Sequence, residues 1–196
     1  MRVDVVETVE ALEKLELSWQ TVYEADAEAQ FFLSWGWISQ LLKDRRTGWC
    51  ILAAKREDAG GEYVAFFPLR LGVRFSERRG MFVNEIEMAG SFGWADYTGF
   101  ICRPEHEAEA IRALSSHLLE MRWAKLNLRH LRVSDQRFTL FMSAFDGDRF
   151  TIEDRAGEHE RKSVNNEICP YVELPGDFEA YLKCEEGDTS CPVPAQ

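Results

Sequence analysis

Apolar residues recur along this chain with two periods, and the switches between them predict its elements. Residues 2–6 (Arg-Val-Asp-Val-Val) alternate as a short strand. Leu12, Leu15, Trp19, Val22 and Tyr23 then fall on one face of a 3.6-residue period, with Thr8 placed to cap the helix. A second helix takes Ser34 as its cap, with Trp35, Ile38 and Leu42 on one side and Trp37 and Leu41 beside them. Residues 49–55 and 63–73 are β-rich runs joined by Glu-Asp-Ala-Gly-Gly-Glu, the pattern of a hairpin. Pro68 cannot donate to a ladder and so marks an edge or a bulge. Residues 82–88 form the third strand of this meander.

Glycines and aromatics fill 89–100 (Ala-Gly-Ser-Phe-Gly-Trp-Ala-Asp-Tyr-Thr-Gly-Phe), a loop leading into a short strand that ends near Cys102. Pro104 opens the clearest helix at its first position, where a missing N–H costs nothing. Ala108, Ile111, Leu114, Leu118 and Met121 form its stripe. Lys-Leu-Asn-Leu-Arg-His-Leu (125–131) alternates as a strand, and Ser134 caps a helix carrying Phe138, Phe141, Met142 and Phe145. Strands at 150–153 and 168–174 close the pattern. Hairpins beside helical crossovers predict an α/β fold with a mixed, largely antiparallel sheet and helices on both faces.

Composition narrows the class. A chain of 196 residues with 45% hydrophobic and 12% aromatic residues suits one globular domain rather than disorder. Lys and Arg number 23 against 34 Asp and Glu, a net charge of −11 that disfavours unspecific nucleic-acid binding. No apolar run is long enough to span a bilayer, and the N-terminus lacks the apolar core of a signal peptide. A cytoplasmic protein with neither nucleic acid nor membrane as partner is the expectation. The five cysteines are scattered without a Cys-x-x-Cys pair; Cys50 and Cys102 sit in strand-like runs and read as small hydrophobes.

Four stretches, taken in order, carry a family resemblance. Phe-Phe-Leu-Ser-Trp-Gly-Trp-Ile-Ser-Gln-Leu-Leu (31–42), Tyr-Val-Ala-Phe-Phe-Pro-Leu-Arg-Leu (63–71), Trp-Ala-Asp-Tyr-Thr-Gly-Phe-Ile-Cys-Arg-Pro (94–104) and Ile-Cys-Pro-Tyr-Val-Glu-Leu-Pro-Gly-Asp-Phe-Glu-Ala-Tyr-Leu (168–182) resemble motifs of the CelD/BcsL-type branch of the GNAT acyltransferases. The element order is similar to the GNAT order as well. The resemblance covers most of residues 1–183 and implies a GNAT-like domain over 1–175. Residues 176–183 would start a helix connecting to a second, tandem half, as in FemAB-type enzymes. Residues 184–196 have no counterpart in the pattern, and the tail is expected to be poorly ordered.

What the resemblance implies is acyl transfer from acetyl-CoA to an amine or hydroxyl of a small-molecule or glycan acceptor, with a link to polysaccharide biosynthesis. The chain is expected to be a truncated N-terminal half, inactive without its missing C-terminal half or a partner chain. The family's Arg/Gln-x-x-Gly-x-Gly/Ala turn binds the CoA pyrophosphate with backbone N–H groups at a helix N-terminus. The matching region here has Gly90, Gly93 and Gly99 but no Arg or Gln in register, and its helix opens with Pro104, Glu105, Glu107 and Glu109. Acidic residues there oppose an anion. An acyl-CoA site in this half is therefore not expected.

Trp94, Asp96 and Tyr97 are the substrate-binding candidates. Asp96-Tyr97 reads either as a substrate contact, with the Tyr hydroxyl as a general acid, or as a turn whose ring packs beside Trp94 and Phe92. Trp35 and Trp37 read either as a sugar-stacking surface or as core. No catalytic residue is assigned. The histidines, 106, 117, 130 and 159, show no ligand spacing, so no metal site is expected; His130 reads as a buried strand-end residue. The rival to an enzyme half is a non-catalytic module that binds a glycan or a protein.

Overall fold

The computed structural model describes residues 1–44, 48–57, 61–92, 95–145 and 147–153. The chain divides into two units, Met1–Phe150 and Thr151–Gln196. Of the second, only 151–153 are described, and the strand expected over 150–153 does not form. The strand at 168–174, the connector at 176–183 and the tail at 184–196 lie outside the described residues, as do Gly93, Trp94 and His159.

Within Met1–Phe150 the order is β1 (Arg2–Val6), α1 (Val9–Glu13), α2 (Glu16–Ala25), α3 (Trp35–Lys43), β2 (Trp49–Lys55), β3 (Tyr63–Ser76), β4 (Met81–Met88), β5 (Ile101–Cys102), α4 (Glu107–Glu120), β6 (Lys125–Asn127) and α5 (Asp135–Met142). The sheet runs β1-β2-β3-β4-β6, antiparallel except for the parallel β4–β6 pair, and β5 pairs with the start of β3. The architecture is thus mixed α/β with a largely antiparallel sheet. Alternation along β2 assigns the two faces: Cys50, Leu52 and Ala54 pack with Ile111, Leu114 and Leu118 of α4, whereas Ile51 and Ala53 pack with Trp19, Val22 and Ile38 of α2 and α3. Helices therefore cover both faces.

Several elements differ in detail from the sequence reading. The first helix is two: Thr8 Oγ1 accepts from Ala11 N at 3.2 Å and caps α1, but α1 stops at Glu13 and α2 restarts at Glu16. Leu12, Leu15, Trp19 and Val22 are buried all the same, because the stripe follows the face and not the continuity of the rod. Ser34 precedes α3 without a side-chain capping bond. In α4 the buried small residue is Ala110 rather than Ala108. Pro68 lies opposite Ile51 where the other edge of β3 passes from β5 to β4, the place in this strand where a missing donor costs the ladder least.

An ion cluster ties the outer sheet edge. Lys55 Nζ approaches Asp4 Oδ2 at 2.6 Å, and Tyr63 Oη donates to the same oxygen at 3.0 Å. Burial alone would push the Asp4 carboxyl up, but hydrogen bonds from Lys55, Arg2 and Tyr63 outweigh it and hold the group below its ordinary value. A depressed carboxylate adds stability above its unfolded pKa of about 3.9, and that stability is lost as pH falls through the folded value. We expect the Asp4 carboxyl to titrate by NMR below about 3.9. Asp4→Asn should flatten the loss of stability in that acid window, and an unchanged acid profile would rule the cluster out as its source.

Candidate functional site

The glycine- and aromatic-rich loop is an excursion from the sheet. Leu69 lies opposite Met88 and Phe66 opposite Ile101, so three steps along β3 match thirteen along the returning lane, and ten residues are looped out. Gly90 stands at the neck, where a Cβ would come within 3.1 Å of Thr98 Cγ2. The chain re-enters at Thr98. Its N–H donates to His130 O at 2.7 Å, its carbonyl accepts from Arg132 N at 2.9 Å, and its hydroxyl donates to Arg129 O at 2.7 Å. β4 and β6 pair over only three positions, and beyond them the returning strand fills the gap. This also explains why β6 is short: the seven-residue strand expected over 125–131 ends at Asn127. His130 takes a left-handed turn (φ 58°) and is exposed, not buried.

The approach to α4 spends several of its backbone donors within the chain. Cys102 N donates to Asp26 Oδ2 at 2.9 Å, Arg103 N to Val64 O at 2.8 Å and His106 N to Arg103 O at 3.1 Å. Pro104 has no N–H. Glu105, Glu107 and Glu109 stand at the end of the helix that ordinarily attracts anions, their charge met in part by Arg103, Arg137 and the Met1 amino group.

The excursion nevertheless builds a surface. Asp96 is exposed in a bend, and Tyr97 is half-buried with the Arg132 guanidinium 4.6 Å above its ring. Tyr97 and Phe32 both line a cavity of about 10 Å³, room for one water at most. Phe32 meets Phe31 at 5.5 Å and Trp37 at 5.3 Å, both edge-on, and Phe31 is 68% exposed. Trp35 and Trp37 both pack, half-buried, against the core: Trp35 tilts against the buried Trp19 at 6.0 Å, and Trp37 backs Phe32. Trp94 and the Phe92 side chain lie outside the described set, so the contacts anticipated between them and Tyr97 are not seen.

Two polar groups escaped the sequence reading. On β4, Glu85 and Glu87 alternate with Ile86 and Met88 and face away from α4, both buried. Arg70 Nη1 donates to Glu87 Oε2 at 2.9 Å and Asn127 Nδ2 to Oε1 at 3.5 Å; Lys125 Nζ lies 3.3 Å from Glu85 Oε1. The alternation Glu-Ile-Glu-Met was the available signal. The second group centres on Arg137, which binds Asp26 with both terminal nitrogens at 2.9 and 3.0 Å and turns its Nε to Glu107 at 2.9 Å and Glu28 at 3.3 Å. Nothing local in the sequence announces it.

The cysteine reading holds where it is described: burial pushes the Cys50 and Cys102 thiols up to about 12, so neither is a nucleophile near neutral pH. Among the described residues no group of three or more His, Cys, Asp or Glu is placed to hold a metal ion, and no helix is long and apolar enough to cross a membrane.

No protein-family model and no curated protein matches this chain. Solved structures give distant likenesses. A ribosomal-protein-alanine N-acetyltransferase from Brucella melitensis biovar Abortus 2308 has 16% identity and a TM-score of 0.41, over 73% of this chain and 90% of that one. A probable acetyltransferase has 12% identity and a TM-score of 0.42, over 90% and 99%. A tetramutant of a Bacillus halodurans protein has 12% identity and a TM-score of 0.41, over 79% and 96%. Likenesses this distant carry no information on activity or substrate.

Proposed function

We propose that this chain is a GNAT-like acyltransferase module that presents an acceptor or partner surface and does not bind acyl-CoA by itself. The resemblance of its four motifs and its element order support the first half of that statement. The second half rests on one observation: the N–H groups of Thr98, Cys102, Arg103 and His106 are consumed within the chain. A pyrophosphate would have to displace those bonds beside Glu105, Glu107 and Glu109. In a complete enzyme the acyl donor would come from a second half or a partner chain. The exposed faces of Asp96, Tyr97 and Phe31 would meet an amine- or hydroxyl-bearing acceptor, a glycan among the candidates. Calorimetric titration of the purified chain with acetyl-CoA should show no saturable binding; a micromolar isotherm would overturn the reading.

The exposed Phe31 ring, backed by the half-buried Phe32 and Trp37, favours a second reading, a glycan-binding module without transfer chemistry, since aromatic faces stack on sugar rings. A glycan array separates the two. Retention that disappears with Phe31→Ala, in a chain that never supports transfer when mixed with a competent partner, selects the binding module.

A further inference from the structure

Among the described residues no helix covers the outer half of the β3–β4 hairpin, and Val73, Phe75 and Phe82 there are exposed. On the α4 side Leu71 pairs with Ile86, Val73 with Asn84 and Phe75 with Phe82, so one ribbon face stays apolar beyond the point where α4 ends at Glu120. Val73 and Phe82 are each 69% exposed, and Phe75 and Phe82 meet edge-on at 5.4 Å. Where this face runs back towards the core, Leu71, Val73, Ile86 and Met121, with the polar Asn84, Glu85 and Arg122, line an open groove of about 340 Å³.

We infer that this groove is a docking site for an amphipathic helix of a partner chain with acidic flanks. Two observations carry it, together with one rule of packing. α4 packs on β1, β2 and β3 from this same side, and the next strip of sheet offers the same kind of apolar floor, uncovered. A sheet face of this sort is ordinarily covered by a second layer, and a helix about 10 Å across is the natural cover. Around the strip, in a chain of net charge −11, stand the exposed Arg78, Arg79 and Arg122, opposed by Glu77 and Glu120, while Glu85 of the groove is met by Lys125 and Arg74. That rim complements an acidic flank. The inference does not depend on the acyl-transfer reading.

The test uses the full chain and a fluorescein-labelled model helix with Leu at i, i+3, i+4 and i+7 and Glu elsewhere, followed by anisotropy. The same helix with Lys for Glu, and a scrambled Glu version, are the controls. We expect saturable binding of the acidic helix, weakened by salt and about tenfold weaker for Phe75→Ser, Phe82→Ser or the pair Arg78→Glu/Arg79→Glu. These side chains are exposed, so circular dichroism should show each variant folded. Absence of binding, equal binding of the acidic and basic helices, or indifference to Phe75→Ser overturns the inference. So does flotation with phosphatidylserine vesicles that requires Phe75, which would assign the strip to membranes. A concentration-dependent dimer in sedimentation that Phe75→Ser dissolves would assign it to a second copy, with the same consequence.

Discussion

Replacing Arg137 with Leu should destabilise the chain by about 3–5 kcal/mol, the cost of stranding a buried charge whose partner is removed. Arg137 is 3% exposed and the Asp26 side chain 0%, so water cannot take the place of the lost guanidinium. Three carboxylates, Asp26, Glu28 and Glu107, converge on this one cation, and without it they repel one another at close range. The same cation joins four places in the chain: the end of α2, the start of α4, α5 and, through Asp26, the backbone of β5. Urea denaturation would show the loss as a lower midpoint. In a thermal melt it would appear as a drop of roughly 6–20 °C, taking 2–4 °C per kcal/mol for a chain of this size. Arg137→Lys keeps the charge but not the two-pronged geometry and should fall between. Asp26→Asn added to Arg137→Leu should recover part of the loss, because one stranded charge goes with it. A shift below about 1 kcal/mol for Arg137→Leu would mean that the cluster is solvated in solution and is no anchor.

This cluster also marks where the sequence stops being informative. β2 and β3 are legible because β-rich runs flank a turn with paired glycines, with β4 the third strand of the meander, and β2 starts and ends where its run does. Ser134 is legible as the cap of α5 and accepts from Arg137 N at 3.4 Å. The stripe of that helix is legible in part: Phe141 and Phe145 are buried as expected, but the first position is not. Hydrophobicity ranks Phe138 above Arg137, yet Phe138 is 46% exposed and Arg137 is buried, because Asp26, 111 residues away, turns the helix towards itself. The length of β6 fails for a related reason. Lys-Leu-Asn-Leu-Arg-His-Leu alternates throughout, but Thr98 occupies the position beside its second half. In both cases the deciding partner is distant in sequence, and no local period encodes it. The candidate site divides the same way. Asp96 and Tyr97 could be picked out as polar residues in an unusual loop, whereas the donors that Thr98, Cys102 and Arg103 spend within the chain are visible only in three dimensions.

Trp19→Ala tests the opposite case, a residue whose role the periodicity did carry. Trp19 is fully buried, stacks on Phe66 at 4.8 Å and tilts against Trp35 at 6.0 Å. Its indole N–H donates to Leu33 O at 2.9 Å. Truncation removes the ring from between the sheet and α3 and leaves a cavity that neighbours of this size fill only in part, so a loss of about 3–5 kcal/mol is expected. Trp19→Phe separates the two contributions. It keeps most of the apolar area but leaves the Leu33 carbonyl without its donor, at a cost of about 1–3 kcal/mol. Urea midpoints should therefore order wild type, Phe and Ala. Equal losses for Phe and Ala would assign the effect to the hydrogen bond rather than to packing. The hydrogen bond has a local readout as well: Leu33 ends the 3₁₀ turn Phe31–Leu33 that sets Phe31 and Phe32 at the surface. Amide exchange at Ser34, whose N–H donates to Phe31 O, should quicken in Trp19→Phe if the indole holds that turn. The aromatic surface beside Tyr97 would then loosen with it, linking a core residue on α2 to the face proposed to meet an acceptor.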